Sequence, residues 1–431
     1  MKSLTLRFPQ SGYKSILLSY PTMILLAVLE FIVYYIYLKG PNYWIDSMSY
    51  MESSVTIMGG ELDIYRTPVY PFLIGVFQKI FGNRWDVVFV CFQFLITLIS
   101  AVYFYKIAER IVRKPRYVFW STAFFLLYPG FFVYNLYIMT ETISIAGMVF
   151  LAYCLLRFVK EQKMISWALW ANFWLLFLIY LRPIFICLIP ILLGIFIWKA
   201  FTGNRTSSMT GIAGCVVIIA SVILYQRAIT QRYQIHSISC VTIINNYATL
   251  RYDGIIDPTL TDNPRLQELL IETLPDKYNH EDELLWTEFM KIQKEVGYPA
   301  IEQYEKAVIK KYPYDVIKGI SLRWEYEVTR YKILPFVRAD WKYRPIEWLQ
   351  PNLGLYALGM ILYCIFLLIQ WKRKRRVPQY QIILLVICAV LFVVTALGAQ
   401  SDYTRLNLPA IPLALILFAN LCTSVRFKPI E

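Results

Sequence analysis

Residues 86–116 read DVVFVCFQFLITLISAVYFYKIAERIVRKPR. A transmembrane helix needs about 20 mostly apolar residues to cross a hydrocarbon core of roughly 30 Å, and residues 86–105 supply them. Five bases follow at once: Lys106, Arg110, Arg113, Lys114 and Arg116. An apolar run closed by bases reads as a membrane span whose basic end stays on the cytoplasmic side. Nine further segments have the same apolar character, at about 16–38, 117–133, 136–156, 165–181, 183–199, 209–226, 352–370, 380–397 and 406–424.

The loops fix an orientation. With the N-terminus inside, the inner segments carry Lys2, Arg7 and Lys14, then the 106–116 cluster. Arg157, Lys160 and Lys163 come next, followed by Lys199 and Arg205, the run KRKRR at 372–376, and Arg426 with Lys428. The short outer turns hold almost no bases: YPGFFVYN at 128–135 has none, and two others have only Arg182 and Arg405. Both termini are therefore expected in the cytoplasm, and the first apolar segment, with no cleavage pattern behind it, reads as a retained anchor.

Composition agrees. Of 431 residues 58% are hydrophobic and 17% charged, against roughly 45–50% and about 25% in soluble domains. The net charge of +14 would suggest a nucleic-acid surface in a soluble chain. Here residues 230–350 hold 18 acids and 16 bases, so the other 310 residues carry 27 bases against 11 acids. That distribution is a topological signal, and no nucleic-acid partner is expected. The eight cysteines are scattered, seven of them in apolar runs, and read as small hydrophobes. With only His236 and His280 present, a multi-histidine metal site is excluded.

Two regions lie outside. Residues 39–85 contain an amphipathic stretch, PNYWIDSMSYMESSVTIMGG, and then RTPVYPFLIGVFQKIFG, in which Thr67 and Pro68 read as N-cap and first helical position. These are expected to be two helices lying in the membrane interface. Residues 227–351 alternate turn signals with helical stretches and form a helical domain over the outer face. The whole is an all-α integral membrane protein with about ten transmembrane helices. It divides into a membrane module at 1–226, the outer domain at 227–351 and a three-helix module at 352–431.

Carboxylates are scarce in the membrane body, so each one is informative. Asp46 lies in the first outer segment, with Tyr50 one helical turn on; it is either a solvated interfacial acid or a base toward an acceptor hydroxyl. Glu141 sits near the outer end of the fourth span, where an ionisable residue marks a functional site unless it snorkels or is satisfied by Thr140 and Thr142. Glu30, in the first span, reads as well as half of a structural ion pair. Three arginines stand outside against the positive-inside trend: Arg66, Arg182 and Arg405. Each could touch lipid headgroups, and together, beside Pro-marked helix ends, they suit one shared phosphate.

These residues fall into an ordered series: Asp46 and Tyr50, the pair Gly59-Gly60, R-T-P-x-Y-P from Arg66 to Pro71, Tyr128-Pro129, Thr140-Glu141, Leu181-Arg182-Pro183, and Tyr403-x-Arg405 followed by Pro409 and Pro412. The series resembles the GT-C superfamily of membrane glycosyltransferases, nearest to the branch of protein O-mannosyltransferases and lipid A aminoarabinose transferases. It covers residues 1 to about 200 and again from about 350. The resemblance implies a hexosyl or pentosyl transferase, with a polyprenyl-phosphate sugar as donor, a lipid, glycan or protein as acceptor, and inverting transfer at the extracytoplasmic face of the bacterial inner membrane. It implies Asp46 as base, Glu141 as second acid, and Arg66, Arg182 and Arg405 on the donor phosphate, with Tyr50, Tyr70 and Tyr403 in support. No cofactor is expected. The first loop has E-L-D at Glu61 to Asp63 in place of a D-x-D pair, which argues against metal dependence of the oligosaccharyltransferase kind without excluding a divalent metal. A polymerase or ligase with a diphosphate-linked donor, and a lipid or solute transporter, are the other readings.

Overall fold

The computed structural model describes residues 20–161, 165–203, 205–272, 282–330, 353–374, 379–398 and 403–424. The basic segments at Lys2 to Lys14, Lys163, Arg375 with Arg376, and Arg426 with Lys428 lie outside the described residues, as does His280. Every described regular element is a helix, apart from one parallel bridge between Asn42 and Tyr137.

Helix α1 spans Tyr20–Tyr37 and leads to α2, Ile45–Met58, and α3, Val69–Phe81. A 3₁₀ turn joins α3 to α4, Trp85–Ile111, and α5 spans Pro115–Leu127. Then come α6 (Glu141–Glu161), α7 (Ile165–Leu181), α8 (Ile189–Thr202) and α9 (Arg205–Tyr233). The long connection after α9 holds α10 (Cys240–Tyr252), α11 (Pro264–Glu272), α12 (Asp282–Lys311) and α13 (Pro313–Arg330). The chain then returns through α14 (Leu353–Lys374), α15 (Gln379–Gly398) and α16 (Ile411–Ser424).

This is an all-α integral membrane protein. Seven described helical segments are long and apolar enough to cross a bilayer, or eight with the pair Pro115–Leu127 and Pro129–Leu136, which is bent by 44°. All ten expected spans overlap a helix, but α7 and the Gln379–Thr395 part of α15 are shorter apolar helices, so ten crossings are not established by length. The fourth span begins at Glu141, not 136, because Val133–Leu136 is a 3₁₀ turn after Pro129. Leu25, Val33 and Ile36 on α1, Val217 and Leu224 on α9, and Ile361 and Leu368 on α14 are exposed and apolar, a surface that lipid covers. Helix α6 is buried along nearly its whole length and forms the centre of the bundle.

In the connection between α1 and α4, α2 and α3 pack against each other. A Cβ at Gly75 would stand 2.3 Å from Met58 Cγ, and Ser54 Oγ donates to Gln78 Oε1 at 3.0 Å. Helix α3 starts at Val69, one residue later than expected; Pro68 precedes it in helical conformation and no side chain caps the end.

Helices α7 and α9 meet through small residues. Asn172 is buried on α7 and donates from Nδ2 to the Gly211 carbonyl at 3.1 Å, and a Cβ at Gly214 would lie 2.3 Å from that nitrogen. Close backbone approach and a buried amide are the usual adhesives between membrane helices. Because α7 ends immediately before Arg182, this contact also sets the place of that arginine. Gly214→Val is expected to lower the thermal unfolding temperature of the purified protein by several degrees and to cut activity with it, as followed by intrinsic fluorescence and turnover.

Helices α10 to α13 enclose a second hydrophobic core, with Tyr247, Leu266, Phe289, Ile301 and Tyr304 fully buried. Helix α9 continues seven residues beyond the expected span end at 226 and contributes Ile229 to this core. Gly297, at φ 77°, and Pro299 kink α12 so that both of its halves cover it.

Candidate active site

Asp46 and Glu141 both occupy the first turn of a helix, α2 and α6, where unpaired N–H groups and the helix dipole favour an acid. Helix α2 begins at Trp44, whose N–H donates to Ser47 Oγ at 2.8 Å while its carbonyl accepts from the Ser47 N–H at 2.8 Å. The residues ahead of it are pinned to the bundle. Asn42 N–H donates to the Leu136 carbonyl and Ile138 N–H to the Asn42 carbonyl, and Tyr43 OH donates to Asp86 at 2.7 Å.

Arg182 and Arg405 sit at helix breaks. Pro183 stops α7, leaving Arg182 extended at φ −151°, and Arg405 lies in the short helix Tyr403–Asn407 ahead of Pro409. Arg66 follows a turn in which Asp63 Oδ1 accepts from the N–H groups of both Tyr65 and Arg66 at 2.7 Å.

All five side chains join one chain of ion pairs. Arg66 Nη2 meets Asp46 Oδ1 at 2.6 Å, and Arg405 Nη1 meets the other oxygen, Oδ2, at 2.7 Å. Arg405 Nε also lies 3.3 Å from Glu141 Oε1, the oxygen that Arg182 Nη1 approaches at 3.3 Å. Glu141, Arg182 and Arg405 are buried, at 1%, 8% and 9% exposure, and Asp46 and Arg66 are partly so. Three cations and two carboxylates give the cluster a formal charge of +1. Glu141 Oε2 is buried with no hydrogen-bond partner among the described residues.

Tyr50 and Tyr70 stand behind this chain. The Arg66 guanidinium lies over the Tyr50 ring, 4.3 Å from its centroid, and Tyr70 packs edge-on against Tyr50 at 4.8 Å. Tyr403 opens its short helix, and its side chain lies outside the described residues. Glu30 is half-buried on α1 with no ion pair among the described residues, so the pair considered for it is not seen there.

Residues 65–225 match the family model for dolichyl-phosphate-mannose-protein mannosyltransferases. That match supports a membrane glycosyltransferase of the GT-C type. A search among curated proteins finds no match. The matched span takes in Arg66, Glu141 and Arg182, whereas Asp46 and Arg405 lie outside it and join the site through the fold.

In this glycosyltransferase, burial works against a charge on Asp46, but Arg405 and Arg66 outweigh it and hold the carboxyl well below the usual carboxylate range. A carboxyl depressed in the folded state stabilises the protein above its unfolded pKa of about 3.9 and loses that contribution only as pH falls further. The stability difference between the wild type and Asp46→Asn is therefore expected to stay constant from about pH 7 to about pH 5 and to shrink only below about pH 4, which thermal melts in detergent would show.

Several site residues were not legible beforehand. Ser49 Oγ accepts from Arg66 Nε at 2.8 Å. Gln93, fully buried in the apolar α4, accepts from Tyr70 OH at 3.3 Å and donates to the carbonyls of Asn135 and Tyr137. An amide within a span was the one signal available for it. The segment Glu61 to Tyr65 is fastened to the region that follows α8: Tyr233 OH donates to the Leu62 carbonyl at 2.6 Å, Cys240 N–H to Ile64 O at 2.9 Å, and Ser239 Oγ to Tyr65 O at 2.6 Å. Tyr298 OH reaches Tyr65 OH at 2.9 Å, and Arg232 pairs with Glu61.

Proposed function

We propose that this glycosyltransferase moves a single sugar from a polyprenyl-monophosphate carrier to a lipid, glycan or protein hydroxyl at the outer membrane face, with inversion at the anomeric carbon. The observation that carries this reading is the formal charge of the five-residue cluster. A sugar phosphodiester bears one negative charge and would neutralise a site of +1, whereas a diphosphate-linked donor would bring about one charge more than the site balances.

Donor binding and base activation are then one event. At rest both Asp46 oxygens are occupied by guanidinium groups, so the carboxylate is a poor base. As Arg66 and Arg405 turn toward the phosphate, Asp46 loses the two charges that hold its pKa down. The acceptor hydroxyl gives its proton to Asp46 while its oxygen bonds to the anomeric carbon, and the bond from that carbon to the phosphate oxygen breaks. The departing polyprenyl phosphate keeps the electron pair, and the arginines stabilise its growing charge. Glu141 stays paired with Arg182, with Oε2 left to accept from a sugar or acceptor hydroxyl.

Competition between carriers tests this. Polyprenyl monophosphate is expected to protect the purified enzyme against heat and to inhibit transfer at lower concentration than polyprenyl diphosphate of the same chain length. Preference for the diphosphate would overturn the monophosphate assignment and favour a polymerase or ligase. The sugar itself is read out by mass spectrometry of glycans and glycolipids from cells with and without the gene.

A further inference from the structure

At the opposite end of α4 and α6 from the ion-pair chain, three cations surround one aromatic ring. Arg157 is 16 residues along α6 from Glu141, about 24 Å at 1.5 Å per residue, so the two places are separate. The guanidinium carbons of Arg110 and Arg157 lie 5.5 Å and 5.9 Å from the Tyr153 ring centroid, and Lys106 Nζ lies 5.9 Å from it. Lys106 also sits 5.0 Å over Tyr103, and Tyr103 and Trp167 meet Tyr153 edge-on at 4.9 Å and 5.8 Å.

Acids do not balance these charges. Glu161 holds Arg157 Nη2 at 2.6 Å and accepts from Trp167 Nε1 at 3.1 Å. Glu109 is exposed and takes the Tyr105 hydroxyl at 3.4 Å. Arg110 Nη1 and Arg157 Nε are buried with no hydrogen-bond partner among the described residues. A guanidinium N–H held away from water without an acceptor is costly, and a planar fork of this kind matches phosphate oxygens. Exposed apolar residues adjoin the cluster, Val102 one turn before Lys106 and Trp170 about one turn after Trp167, which suits a ligand whose charged head continues into hydrocarbon.

We propose that Lys106, Arg110 and Arg157, gathered around Tyr153, bind the headgroup phosphate of an anionic phospholipid. The phosphate lies across Arg110 and Lys106, Arg157 contributes its free Nε–H, and the aromatic rings form the floor. This site is independent of the donor site and of the reading given to it.

Native mass spectrometry of the full chain, loaded with phosphatidylglycerol or phosphatidylcholine, tests the assignment. Lys106→Gln and Arg110→Gln are each expected to weaken phosphatidylglycerol retention about 5-fold, at roughly one surface charge's worth apiece. Phosphatidylcholine retention stays as in the wild type, and Arg110→Lys keeps most of the anionic lipid, which separates charge from misfolding. Arg116→Gln, an exposed cation nearby, serves as the surface control and leaves retention unchanged. Equal losses with Arg116→Gln, or wild-type retention in Lys106→Gln with Arg110→Gln, would overturn the site. Inorganic phosphate that binds the delipidated protein with the same dependence on Arg110, without competition from the lipid, would overturn the lipid as its source.

Discussion

Replacing Asp46 with Asn is expected to slow sugar transfer by about 100- to 10,000-fold, the usual worth of a positioned general base, while donor affinity stays unchanged or tightens. The two halves have different causes. Asparagine cannot take the acceptor's proton, so the rate falls. The same change removes one negative charge from a cluster of three arginines and two carboxylates, raising its charge from +1 to +2, so an anionic carrier is held at least as well. Single-turnover transfer with a labelled donor measures the first, and equilibrium binding of polyprenyl phosphate the second. Turnover within about ten-fold of the wild type would remove Asp46 as the base; normal turnover capacity with lost donor binding would make it a structural partner of the arginines.

The second large effect belongs to Arg405. Among the described residues it alone contacts both carboxylates, Asp46 through Nη1 and Glu141 through Nε. A charge-assisted hydrogen bond is worth about 1.5–3 kcal/mol, so Arg405→Gln is expected to weaken donor binding by about 10- to 150-fold and to lower the rate as well. The discriminating variant is Arg405→Lys. An ammonium is a point charge and cannot reach two carboxylates as a fork does. Arg405→Lys should therefore be nearly as impaired as Arg405→Gln in both binding and rate. Full recovery with lysine would show that the site needs only charge there, and that the shared geometry of Asp46 and Glu141 is incidental.

The charged members of the site were legible for a physical reason. In an apolar body with so few acids, and with most bases clustered in a few loops, an arginine in one of the other loops or an acid among apolar residues stands out against its background. Asp46, Arg66, Glu141, Arg182 and Arg405 were found that way, and the fold joins all five. Ser49 and Gln93 were not, because an uncharged polar residue on a helix has many ordinary uses and only the neighbour it meets gives it meaning. The link between Tyr65 and Tyr298 joins positions 233 residues apart, a relation that no local pattern encodes. Spans were legible where apolar runs were unbroken. They blurred from 128 to 141, where Pro129 and a 3₁₀ turn bend the chain between two stretches of equal hydropathy.

The fastening of residues 61–65 bears on how loss-of-function maps of this enzyme are to be read. Tyr233, Ser239 and Cys240 hold the backbone that ends in Arg66 and Tyr298 holds the Tyr65 side chain, although none of them touches the ion-pair chain. Substitutions at these four positions will score as damaging beside those at the carboxylates themselves. Such a hot patch records the transmission of position along five residues of chain, so it is not a footprint of the acceptor. An acceptor-binding surface would be marked instead by substitutions that spoil transfer while leaving polyprenyl phosphate affinity intact.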